Sequence, residues 1–174
     1  MHDGPRILVL GTSGSGKSTL ARAAAQRLGV GHMELDAVFH GPDWTPMDEG
    51  LFRQKVSAFT TEAGWVIDGN YRTVRDIILA RATTVVWLDP PRWRVMWQVI
   101  TRSAKRVVFH EKLWNDNRER LSAWLDPEHP IRWAWSTHHP RRRQFLKEME
   151  GDSRWLRLRT RREAADWLVR LADA

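Results

Sequence analysis

The sequence predicts an α/β fold, one parallel sheet of five strands with helices on both faces. Three observations predict it. Short apolar runs alternate with longer helical patterns from end to end, no internal repeat interrupts them, and a glycine-rich turn joins the first run directly to the first helical pattern. With 174 residues the chain is expected to form one domain, 1–174, around one core, and no linker is visible in it.

The elements follow in order. RILVL, Arg6 to Leu10, reads as a buried strand. STLARAAAQRL, following Lys17, is rich in alanine and leucine and is stopped by Gly29. GHMEL reads as a second strand ending at Asp36, and AVFHGPDWTP as a loop, because prolines and glycine-type breakers crowd it. MDEGLFRQKVSAFTTEA restores helical spacing, WVID is a third strand, and GNYRTVRDIILARA is a turn feeding a helix. TTVVWLD is a fourth strand. PPRWRVMWQVITRSAKRVV is a long helix opened by proline, with Trp93, Met96, Trp97 and Ile100 at core spacing. Between His110 and Pro130 the pattern dissolves into polar residues, which marks a short lid. A helix is expected over IRWAWSTHH to RRRQFLKEME, kinked or divided at Pro140. RWLRLR reads as the fifth strand and RREAADWLVRLA as the closing helix.

Composition bounds the function. Hydrophobic residues make up 42% and charged residues 28%, and no apolar run approaches the roughly 20 residues of a membrane span. The N-terminus lacks a secretory pattern, and the absence of cysteine excludes a disulfide framework or thiolate zinc site. A cytoplasmic protein without membrane association is expected. The net charge of +7 favours polyanions, either nucleic acid or a nucleoside triphosphate, and charge alone does not choose between them. Eleven tryptophans stand against one tyrosine; their spread along the chain argues for core and crevice filling. His138 and His139 are adjacent, share no helix face, and do not form a metal pair.

GTSGSGKST carries the chemistry. Gly11, Gly16, Lys17 and Ser18 satisfy G-x-x-x-x-G-K-[ST] between a strand and a helix, the P-loop context. Its glycines let the backbone wrap a diphosphate, and the helix N-terminus adds its dipole. Gly11, Ser13, Gly14, Ser15, Gly16, Lys17, Ser18 and Thr19 are the expected ATP-binding residues. Lys17 is expected on the transferable phosphate and Ser18 on Mg²⁺. The absence of an NKxD segment argues against a GTP switch. The fold is then expected to be a P-loop NTPase three-layer sandwich with strand order 2-3-1-4-5.

WVIDGNYRT, Trp65 to Thr73, supplies the acceptor side. Asp68, at a strand end beside the P-loop strand, is placed to hold Mg²⁺ through water; Gly69 and Asn70 let a ligand approach, and Arg72 lies just beyond. Here the chain resembles the adenylate kinase type of nucleoside monophosphate kinase, in which Asp-Gly is followed by an arginine that grips the acceptor phosphate. RSAKR matches the Arg-x-x-x-Arg of the lid hinge in those kinases. The resemblance assigns Arg102 and Arg106, with Arg118 from the lid, to the transferring phosphoryl group, although a solvated arginine stripe has the same spacing. ELDAVFHGPDW resembles the acceptor region of shikimate and gluconate type kinases. More closely it is similar to bacterial topology modulation or adenylate kinase-like proteins, which share DGNY and a segment like LWNDNRE, Leu113 to Glu119.

Asp36 is the pivotal acceptor residue. A hydroxyl acceptor needs a carboxylate to take its proton; a phosphate acceptor does not. Arg53 and Trp44 are further substrate-binding candidates. The resemblance places adenine against RTRRE, with Arg159 and Arg161 as candidates. Together these imply ATP- and Mg²⁺-dependent transfer of the γ-phosphoryl group to a small-molecule acceptor, with a nucleoside or nucleoside monophosphate ahead of a sugar or polyol acid. The alternatives are a hydroxyl kinase of the shikimate or gluconate type and a P-loop nucleic-acid-binding regulator. Nucleic acid is not the favoured partner, and a monomer or homodimer is expected.

Overall fold

The computed structural model describes the backbone of residues 4–41, 45–108 and 130–172, with side chains described outside 102–108, 130–134 and 172. Five strands, β1 (Arg6–Gly11), β2 (Gly31–Glu34), β3 (Trp65–Asp68), β4 (Thr84–Leu88) and β5 (Trp155–Leu158), form one sheet. Its order is β2-β3-β1-β4-β5, and every neighbouring pair is parallel. This is the order expected from the sequence. Parallel neighbours require crossovers, which the helices provide: α1 (Lys17–Leu28), α2 (Leu35–Phe39), α3 (Glu49–Phe59), α4 (Arg75–Leu79), α5 (Arg92–Val108), α6 (Pro130–Met149) and α7 (Arg161–Ala172).

Alternation along the central strands divides the core in two. Ile7 and Val9 of β1 and Val86 and Leu88 of β4 pack with Leu20, Ala21, Ala24 and Ala25 of α1 and Trp167 of α7. The small alanines let α1 lie close to the sheet. Leu8 and Leu10, with Val85 and Trp87, point to the opposite face, where Phe52, Val56, Ile78 and Phe145 cover them. Both faces are buried, so β1, β3 and β4 read as continuous apolar runs.

The structure corrects the expectations in four places. The second strand ends at Glu34, two residues early, and Leu35–Phe39 is a helix where a loop is expected. Leu35 is buried beneath Gly69, which holds φ at 142°; a Cβ there would stand 2.7 Å from Leu35 Cβ. On α5 the buried residues are Val95 and Val99, whereas Trp93 and Trp97 are each 67% exposed and Ile100 is also exposed. The close approach of this helix to the P-loop selects small β-branched side chains over indoles. Trp135 of α6 is likewise exposed, so these tryptophans are not core. Finally, Pro140 does not divide α6. It sits at an exposed position on the helix.

Phe145 ties α6 to the sheet through rings at 5.5 Å from Trp87 and 6.1 Å from Trp155. Phe145→Ala is expected to cost about 3–5 kcal/mol of stability, read as a lower denaturant midpoint.

Candidate functional site

The site is assembled at the C-terminal ends of β1, β2 and β3. The P-loop runs from Gly11 into α1 with Gly14 at φ 79° and Gly16 at φ 93°, left-handed conformations that glycine supplies without strain. Ser15 N–H donates to the Thr12 carbonyl at 3.0 Å and tightens the turn. No side-chain hydrogen bond caps α1, and its first turn carries no acidic residue. Its leading N–H groups and dipole therefore face the loop, as a polyphosphate requires.

Asn70 holds the base of this loop. Gly11 N–H donates to Asn70 Oδ1 at 3.3 Å, and Asn70 Nδ2 donates back to the Gly11 carbonyl at 2.5 Å. Asn70, a substrate-binding candidate in the sequence, clasps the P-loop backbone through this pair. On the other side, Gly14 packs against α5 so closely that a Cβ would stand 2.3 Å from Val99 Cγ2. Gln98, one residue before, reaches the same place. With its amide turned over, as its two neighbours require, its nitrogen donates to the Gly14 carbonyl at 2.6 Å and its oxygen accepts from Arg161 at 2.7 Å, which connects α7 to the loop. Arg159 takes part through its backbone, whose N–H donates to Glu163 Oε2 at 2.6 Å while Glu163 N–H donates to Thr160 Oγ1. This is a capping box at the start of α7.

Parallel register sets Asp68 beside Val9 on one side and Glu34 on the other. Ser18 Oγ lies 2.6 Å from Asp68 Oδ2 and 2.9 Å from Glu34 Oε1. A hydroxyl has one proton, so it cannot donate to both carboxylates at once. A cation beside Ser18 relieves that conflict, and an all-oxygen set of one hydroxyl and two carboxylates suits hard Mg²⁺. The residues present therefore fit both Mg²⁺ and a nucleotide polyphosphate. The Asp68 side chain is 1% exposed, and its second oxygen is held by His32 Nε2 at 2.9 Å. Neither Glu34 nor His32 stands out in the sequence. The Glu34-x-Asp36 spacing is the signal that could have found the first; a lone histidine on an edge strand offers none.

Asp36 projects from α2 toward the P-loop, its Oδ2 3.4 Å from Lys17 Nζ. The P-loop lysine and the carboxylate of α2 thus meet directly. The Tyr71 hydroxyl lies 3.1 Å from His40 Nε2, and burial followed by the nearby Asp36 charge pushes that phenol well above its ordinary value. Arg141 of α6 feels the Asp36 charge; burial lowers its pKa and Asp36 opposes the shift. Arg75 stands nearby, lowered chiefly by burial, paired with Glu148 at 3.0 Å and stacked 4.9 Å above the Phe145 ring. A small cleft beside them is lined by Thr12, Asp89, Pro90, His138, Arg141 and Arg142. Asp89 anchors its edge, paired with Arg157 and, at 3.1 Å, with Arg142. No motif in the sequence marks out Arg75 or Arg141.

The other candidates fall in different places. Arg72 is exposed at a single 3₁₀ turn, Arg72–Val74, near enough to Arg75 to lower its pKa. Arg53 lies against α4, with its guanidinium 3.0 and 2.8 Å from the two Asp76 oxygens and bonded to the Thr73 carbonyl. Arg102 and Arg106 lie on the last turns of α5, with side chains outside the described residues; Trp44, Arg118 and the expected lid lie outside them altogether.

Comparison with known proteins agrees with this architecture. No family model and no curated protein matches the sequence. Among solved structures, a gluconokinase from Sinorhizobium meliloti 1021 superposes with a TM-score of 0.56 at 19% identity, covering 99% of this chain and 95% of the other. A shikimate kinase from Acinetobacter baumannii, in complex with shikimate, gives 0.59 at 18% identity over 98% and 92%. A shikimate kinase from Bacteroides thetaiotaomicron gives 0.59 at 13% identity over 97% of each chain. The chain has the P-loop NTPase fold that these small kinases share.

Asn70→Ala leaves both Gly11 backbone groups without their partner. The expected cost is about 1–3 kcal/mol of stability, with weaker binding of a nonhydrolysable ATP analogue, measured by thermal shift and calorimetry.

Proposed function

We propose that this protein is an ATP- and Mg²⁺-dependent phosphotransferase whose acceptor is a small molecule carrying both a hydroxyl and an anionic group. The observation that carries the reading is the 3.4 Å meeting of Lys17 and Asp36. Lys17 belongs to the donor loop and Asp36 to the opposing wall, so an acceptor bound at Asp36 faces the phosphate that Lys17 holds. Arg141 and Arg75, both cationic and partly buried, favour an anionic substituent on that acceptor.

Each group then has a task. The N–H groups at the start of α1 and the Lys17 ammonium bind the polyphosphate. Ser18, with Asp68 and Glu34 acting directly or through water, would hold the metal, which when bound neutralises charge on the phosphate oxygens. Asp36 orients the acceptor hydroxyl and takes its proton. The acceptor oxygen bonds to the terminal phosphorus as the bond to the bridging oxygen breaks, and ADP leaves. A nucleoside monophosphate with its phosphate as acceptor is the second reading, supported by Arg72 at the Asp-Gly-x-x-Arg spacing. In that reaction Asp36 has no proton to take.

The deciding experiment is ADP release with Mg²⁺ and ATP against polyol acids, sugar phosphates, nucleosides and nucleoside monophosphates. Lys17→Ala is expected to remain folded, with melting within a few degrees of the parent, and to lose at least about 10²-fold in turnover. Asp36→Asn is expected to lose about 10²–10⁴-fold with a hydroxyl acceptor. Undiminished turnover in Lys17→Ala overturns the assignment, and full activity of Asp36→Asn moves the phosphate acceptor ahead.

A further inference from the structure

Glu34 and Asp68 present the same kind of oxygen to Ser18, but they are held differently. Glu34 has one oxygen 2.9 Å from Ser18 Oγ and the other 3.9 Å from the exposed guanidinium of Arg22. That second contact is long and open to water. Asp68, 1% exposed, has Oδ2 2.6 Å from Ser18 Oγ and Oδ1 2.9 Å from His32 Nε2. Its two oxygens thus have separate partners, both at hydrogen-bond distance.

Strand pairing sets this up. β2 runs parallel to β3 with His32 beside Val66 and Glu34 beside Asp68, so His32 and Glu34 fall on one face of β2, two residues apart. Glu34 is level with Asp68, and His32 reaches it from one repeat earlier on the same face. A carboxylate oxygen accepts and does not donate, so Nε2 carries the proton in this contact. The His32 side chain is only 17% exposed, which leaves little water to compete for the bond.

We infer that His32 is the positioning residue of the metal site. By occupying Asp68 Oδ1 it leaves Oδ2 for the Ser18 side and limits Asp68 to one oxygen for an ion or its water, which favours Mg²⁺ over Ca²⁺. Mg²⁺ keeps a tight octahedron and suits a carboxylate that offers one oxygen, whereas the larger Ca²⁺ shell readily takes both. Hydrogen-bond partners of this outer kind typically change metal affinity about 10- to 100-fold. The inference rests on the reading that Ser18, Asp68 and Glu34 hold Mg²⁺; neither Asp36 nor the acceptor enters it.

The test reads metal binding directly. Mn²⁺ is titrated into the protein–ADP complex, with protein in excess, and followed by electron paramagnetic resonance; Mg²⁺ and Ca²⁺ are then ranked by their power to displace it. His32→Leu is expected to weaken Mn²⁺ and Mg²⁺ by at least about 10-fold and Ca²⁺ by less, so that the preference for Mg²⁺ narrows. Because His32→Leu also leaves Asp68 Oδ1 buried without its donor and lowers stability, His32→Asn, polar but shorter, is the second variant, with a smaller loss in the same direction. His32→Gln, whose amide nitrogen reaches about as far as Nε2, is expected to restore affinity to within about threefold of the parent. ADP affinity in EDTA, measured by calorimetry, is expected to stay within about twofold in all three variants. Unchanged metal affinity and ranking in His32→Leu and His32→Asn, while Asp68→Asn weakens Mn²⁺, overturns this inference alone. A loss equally large in EDTA marks a merely structural role and also overturns it. If Asp68→Asn leaves Mn²⁺ affinity unchanged, the metal reading itself fails and the inference with it.

Discussion

The arrangement depends on a carboxylate kept almost wholly from water. Asp68 ends a buried strand with its side chain 1% exposed, and a charge in such a place is tolerated only with partners on each oxygen. Ser18 serves one oxygen and His32 the other. Those residues come from α1 and β2, which flank β3 only because the strand order inserts β3 between β2 and β1. Topology and electrostatics thus constrain each other. The same order that closes the core delivers the P-loop hydroxyl, Glu34 and Asp68 to one point.

Around that negative centre the protein places cations in layers. Lys17 lies against Asp36, Arg75 against Glu148, and Arg142 and Arg157 against Asp89. The arginines so placed fall into two kinds, those held in structural pairs and those near Asp36. Arg53 and Arg154 belong to the first kind, the one joining α3 to α4 and the other holding Asp152 and the carbonyls of Leu79 and Ala82. Arg141 belongs to the second. No helix among the described residues is long and apolar enough to cross a membrane.

Much of the fold was legible because its signals are local. The apolar run before GTSGSGKS, the Gly29 stop and the strand at WVID each depend on neighbours in sequence, and the parallel order follows from the P-loop context. The site was legible where chemistry is tied to a motif, as with Lys17 and Ser18. It was not legible where contact is made across the sheet. Glu34, His32, Gln98 and Tyr71 matter through partners 16 to 84 residues away. The tryptophan face of α5 misled for a related reason: helical spacing identifies a stripe, but it was the approach to Gly14 that decided which stripe turned inward. Asn70 shows the opposite case, a residue in the expected place whose amide serves the backbone.

Among the described residues, uneven burial separates tryptophans inside the protein from tryptophans on its surface. Trp65, Trp87 and Trp167 sit inside, while Trp93, Trp97 and Trp135 stand in solvent on α5 and α6, with Arg92 stacked 3.3 Å over the last. Indoles in water emit at longer wavelength than buried ones and are open to collisional quenchers. Among the described tryptophans, those of the sheet core and those of the α5–α6 surface therefore contribute distinguishable emission, and quenching of the second group reports on that surface without an added label.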